Sequence, residues 1–88
     1  MTELTFTKDT DGFYTASFSS DGRCHVQINK GADQDFGLTT FEASLDGTNY
    51  ATIMPSFESE SILALVDLPE GFTVRIKSTT PVQYAAVI

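Results

Sequence analysis

Apolar and polar positions alternate with a period of two along most of this chain, and no stretch longer than a turn repeats with a helical period. The clearest pattern is Leu38–Ile53, LTTFEASLDGTNYATI. Thr39, Phe41, Ala43 and Leu45 alternate there with Thr40, Glu42 and Ser44, so one face of a strand is apolar and the other wet. Asp46-Gly47 then supplies residues that tolerate a tight turn, and Tyr50 to Ile53 returns as the partner strand of a β-hairpin.

The same reading extends in both directions. Leu4 to Thr7 predicts a short first strand, ended by the turn residues Asp9 to Gly12. Phe13 to Phe18 predicts a second, with Tyr14, Ala16 and Phe18 toward the core. After a turn at Ser19 to Gly22, Arg23 to Asn29 predicts a third, with Cys24, Val26 and Ile28 inward and His25, Gln27 and Asn29 outward. Lys30–Gly37 is a polar loop and a candidate binding or mobile segment. Met54–Ser61 is a second loop with one apolar residue, Phe57, in its middle. Ile62 to Leu68 is almost continuously apolar, the pattern of a strand covered on both faces. A turn at Leu68 to Gly71 suits Pro69 and Gly71. Phe72 to Ser78 alternates again, with Phe72, Val74 and Ile76 inward, and Val82 to Ile88 closes the chain as a last strand.

About seven to eight short strands, spaced near ten residues and divided by turn signals, predict one all-β domain over residues 1–88. Its architecture is a small antiparallel β-sandwich, either immunoglobulin-like or jelly-roll-like. The Asp-Gly pairs at 11–12, 21–22 and 46–47 are irregularly spaced, so they are turn chemistry and no repeat. Seven Phe and three Tyr give an 88-residue chain the large apolar side chains that a small core needs. A domain this small still gains from neighbouring subunits that cover its strand edges.

Charge narrows the partners. Twelve carboxylates against five Lys and Arg give a net charge of −7. Nucleic acid and anionic membrane surfaces are disfavoured as partners, because both are bound by clustered cations. An acidic surface mostly gives solubility, and it also suits a basic patch on a protein partner. The single Cys24 allows no internal disulfide. Met1–Thr10 lacks the basic and apolar regions of a signal peptide, and Ile62–Val66 is too short to span a bilayer. These features lead to the expectation of a soluble protein made in a reducing cytoplasm.

Catalytic chemistry is hard to assemble from these residues. Cys24 and His25 are the only Cys and His, and neighbours on a strand face opposite ways, so they form no nucleophile–base pair. Cys24 reads as a small buried hydrophobe and His25 as a surface residue. Zinc spacing is absent. Asp9-x-Asp11-Gly12 and Asp33-x-Asp35 each hold a fragment of a calcium loop without its remaining ligands, and Asp35-Phe36-Gly37 matches the kinase triplet by chance in a chain too short for a kinase. No catalytic, cofactor or metal residue is assigned, and the chain is expected not to be an enzyme. The candidate partner-binding residues are Phe36, Tyr50 and Phe57, aromatic residues in or beside loops. Such residues more often pack over the end of the core; exposed, they suit a subunit interface or, beside polar groups, a sugar.

Ser44-Leu45-Asp46-Gly47-Thr48-Asn49-Tyr50, followed by Leu68-Pro69-Glu70-Gly71-Phe72 and the strand bearing Arg75, resembles small β-sandwich proteins of tailed-phage virions, above all capsid auxiliary or decoration proteins. The resemblance covers residues 38–76. It implies a structural role on a virion made in the host cytoplasm, with many copies binding the major capsid protein or other virion subunits, often as trimers. No functional residue is carried over, since these proteins share no catalytic motif. The apolar C-terminal stretch Tyr84–Ile88 fits a strand covered by its own core or by a neighbouring subunit. The alternative expectation is a carbohydrate- or receptor-binding module of the tail-fibre kind.

Overall fold

The computed structural model describes residues 1–31 and 35–88. Asp33, half of the Asp33/Asp35 pair, lies outside the described residues. The described residues form nine strands and no helix: β1 (Thr2–Glu3), β2 (Thr7–Lys8), β3 (Tyr14–Ser19), β4 (Gly22–Asn29), β5 (Thr39–Ser44), β6 (Ala51–Thr52), β7 (Ser61–Leu68), β8 (Thr73–Ser78) and β9 (Tyr84–Val87). They build two antiparallel sheets, ordered β1-β9-β4-β7 and β2-β3-β8-β5-β6. The fold is a small β-sandwich, as the alternation predicts.

The inner faces carry the core. Val26 and Ile28 of β4, Ile62, Ala64 and Val66 of β7, and Ala85 of β9 meet Phe41 of β5 and Val74 and Ile76 of β8. Burying each of the larger side chains contributes about 1.5–3 kcal/mol relative to leaving it exposed. Cys24 points into this layer and is half-buried, while His25 beside it is exposed on the other face. Burial pushes the Cys24 thiol above its ordinary pKa.

Three expectations are corrected by the coordinates. The N-terminal strand is split: residues 4–6 cross from one sheet to the other between β1 and β2, with Leu4 and Phe6 packed against the core. Such corners are how two sheets share one strand segment. The central hairpin exists, with Glu42 opposite Thr52 and Ala43 opposite Ala51, but its connection is wider than a two-residue turn. Gly47 takes a positive φ of 76°, and side chains close the rest: Asp46 Oδ1 accepts the N–H groups of Thr48 and Asn49, and Ser44 Oγ accepts that of Gly47. Leu45 leaves the apolar face and is exposed.

The third correction concerns β7. It is not covered on both faces. Ile62, Ala64 and Val66 are buried, but Leu63 is 81% and Leu65 48% exposed. The cause is position, since β7 lies at the edge of the four-stranded sheet with no layer above its outward face.

Candidate functional site

The three predicted aromatics do not form one cluster. Phe57 bridges to β5: its N–H donates to the Thr39 carbonyl and its carbonyl accepts the Thr39 N–H, both at 2.9 Å. Its ring stands edge-on to Phe41, with centroids 5.8 Å apart and planes at 76°. It is half-buried and closes one end of the core. Tyr50 lies on the outer face of the five-stranded sheet. The Arg75 guanidinium sits 3.8 Å from its ring centroid, and Arg75 Nε donates to Glu42 Oε1 at 2.9 Å. That places a cation between a ring and a carboxylate, which fixes all three.

Phe36 is the one of the three with an exposed ring. It rims a shallow surface depression shared with Asp35, Gly37, Leu38, Glu58 and Thr79. The local backbone is held from beneath. Lys30, on the sequence a loop residue, is buried, and its Nζ donates to the Phe36 carbonyl and to Thr80 Oγ1. Burial pulls its ammonium pKa below the usual lysine range. Gly37 has φ +59°, and a Cβ there would stand 2.1 Å from Thr79 Oγ1. Only glycine lets the loop pass this close to the strand connection after β8.

The turn acids are occupied by backbone. Asp9 Oδ1 accepts the N–H groups of Asp11 and Phe13, both at 2.9 Å, which is turn chemistry. Asp46, with four hydrogen bonds from Ser44, Thr48 and Asn49, is held well below the ordinary carboxylate pKa, chiefly by the backbone N–H groups of Asn49 and Thr48. Among the described residues no group of three or more His, Cys, Asp or Glu is gathered as metal ligands would be.

A surface that the sequence reading missed is the outer face of the four-stranded sheet. The pairing register fixes its rows. His25 lies opposite Leu65, Gln27 opposite Leu63 and Ala86, and Asn29 opposite Ser61 and Tyr84. Leu63, Tyr84, Ala86, His25 and Gln27 line a groove there, together with Met1 and Ile88. Its carboxylates sit toward the margins: Glu3 on β1, and Asp67 paired with Arg23 at 3.6 Å. Asp9, Asp11, Asp21, Asp46 and Glu70 stand in connections elsewhere. In a chain of net charge −7, the edge strand of this face carries two exposed leucines side by side. The signal in the sequence was the run Ile62 to Val66, in which period two is silent because both faces are apolar.

Comparison with protein families, with curated proteins and with solved structures finds no match to this chain.

Proposed function

We propose that the protein is a non-enzymatic structural subunit that works through protein–protein contacts, and specifically a capsid auxiliary or decoration subunit of a phage virion. The observation that supports this reading is the outer face of the four-stranded sheet. Leucines 63 and 65 stand exposed in a row on its edge strand, next to His25 and Gln27 of β4, while Glu3 and Asp67 keep to its margins. Large apolar side chains left exposed side by side on a sheet edge mark a site of association. Elsewhere charged groups are tied into the fold: Arg75 and Lys77 lie against rings, and Asp9 and Asp46 accept backbone N–H groups. The sequence resemblance over residues 38–76 gives the virion part of the reading.

The test is particle association. Virions of the phage carrying the gene are expected to contain many copies of the protein by quantitative mass spectrometry. Recombinant protein is expected to rebind stripped particles, and Leu63→Ser/Leu65→Ser to rebind at least ten-fold more weakly. Absence from purified particles would overturn the virion reading, and equal rebinding by the double variant would overturn the assignment of the face.

The Phe36 depression supports a second reading, a glycan- or receptor-binding module. An exposed ring beside Asp35 and Glu58 suits a sugar, whose C–H groups stack on the ring and whose hydroxyls donate to the carboxylates. Loss of binding to a glycan array on Phe36→Ser would favour it over the first.

A further inference from the structure

Two antiparallel sheets have four edges, and in this molecule they are unequal. Three are strands of two residues: β1, β2 and β6. Shortness is one of the ways proteins protect an edge from pairing with another chain. The fourth is β7, eight residues long, in unbroken one-to-one register with β4 from Gly22↔Leu68 to Asn29↔Ser61. It contains no Lys, no Pro and no bulge.

The ladder also tells which backbone groups are free. His25 exchanges hydrogen bonds with Ile88 on the β9 side of β4, so Val26 and its alternates turn toward β7. On β7 it follows that Ile62, Ala64, Val66 and Leu68 bond to β4. The N–H and C=O groups of Leu63, Leu65 and Asp67 point out of the sheet and have no partner among the described residues. The Ser61 carbonyl accepts Ser59 Oγ at 2.8 Å. The open edge and the exposed leucines are thus the same residues.

We propose that β7 pairs with β7 of a second copy of this chain, antiparallel about a two-fold axis at Ala64, joining two four-stranded sheets into one of eight strands. A second copy is the occupant because no other edge of the molecule matches β7 in length, and a strand pairing with its own equivalent gives a closed, isologous contact. The register follows from the pleat. Outward-bonding residues must face one another, so Leu63 pairs with Leu65 of the second copy and the reverse, with two N–H···O bonds in each pair. All four leucines then meet on one outer face. Ser61 falls opposite Asp67, so no carboxylate of the strand faces its own copy, which matters between chains of net charge −7. Eight residues give a ladder about 27 Å long, a contact one strand wide and so smaller than a standard specific interface. The association is accordingly expected to be reversible with concentration.

This inference does not depend on the virion reading, and its test uses the purified protein with no particle present. Light scattering across a wide concentration range is expected to rise toward twice the 9.6 kDa monomer mass, and Leu65→Lys to hold the protein at monomer mass with an unchanged circular dichroism spectrum. Amide exchange separates edge pairing from face packing: the Leu63 and Leu65 N–H groups are expected to slow at least ten-fold between dilute and concentrated protein. A monomer at every concentration, a trimer, or a dimer whose Leu63 and Leu65 amides exchange at the monomer rate would each overturn it.

Discussion

The two outer faces of this sandwich are built from the same alternation and end in opposite chemistry. On the five-stranded sheet, Thr15, Ser17, Thr73 and Thr40 surround two cations that are both satisfied within the chain. Arg75 lies between Tyr50 and Glu42, and Lys77 lies 4.4 Å from the Phe13 ring. On the four-stranded sheet, the equivalent outward positions of β7 hold leucines with nothing over them. The first face spends its side chains on the monomer. The second leaves apolar area and backbone groups for something outside it. A polar surface row that is internally paired contributes to stability and little to association, and an unpaired apolar row does the reverse.

Mutations of decreasing effect break or sharpen that contrast. Phe41→Ala removes the fully buried ring both sheets share and is expected to lower unfolding free energy by about 3–5 kcal/mol, measured by urea denaturation, with both faces lost together. Gly37→Ala places a Cβ against Thr79 at a positive φ and is expected to cost about 2 kcal/mol or more. Its reach is the Phe36 end alone, so association through β7 should survive it. Arg75→Ala strips the polar face of its ion pair and its ring contact, about 1–2 kcal/mol in this half-buried setting. Leu63→Ser changes an exposed position and is expected to alter monomer stability by less than about 0.5 kcal/mol.

Acid sharpens the comparison from another side. The folded Asp46 pKa is depressed, so its hydrogen-bonded turn contributes stability above the unfolded value of 3.8. That contribution is lost as pH falls below this value toward the lower folded pKa. Asp46→Asn is expected to flatten the pH dependence of thermal unfolding below about pH 4 while leaving association at neutral pH as it was. An unchanged acid profile would show that the turn does not carry this linkage.

Much of this fold was legible wherever one strand face is apolar and the other polar. Cys24, Val26 and Ile28 against His25, Gln27 and Asn29 place β4, and Val74 and Ile76 against Arg75 and Lys77 place β8. Alternation fails when both faces are apolar: Ile62 to Val66 reads as a covered strand, although two of its leucines face outward. Whether such a strand lies at an edge is decided by which strands pair, and that information is spread over the whole chain. The same holds for contacts between distant residues. Glu42 and Arg75 meet because β5 and β8 are in register, and Lys30 is buried with its ammonium on the Phe36 carbonyl and Thr80 Oγ1, residues that lie far from it along the chain or across a turn. For the site, the sequence marked Phe36, Tyr50 and Phe57 as aromatics near loops. Packing over the end of the core was the commoner expectation for such residues and is what Phe57 does, but the sequence held no sign that Tyr50 would clamp Arg75 or that only Phe36 would keep an exposed ring.

The most direct test of the division between the two faces is sedimentation equilibrium of three proteins side by side: the native chain, Leu63→Ser/Leu65→Ser, and Arg75→Ala. The account predicts that the native chain and Arg75→Ala self-associate alike while the leucine variant stays monomeric at least ten-fold higher in concentration. Equal association by all three, or loss in Arg75→Ala alone, would contradict it.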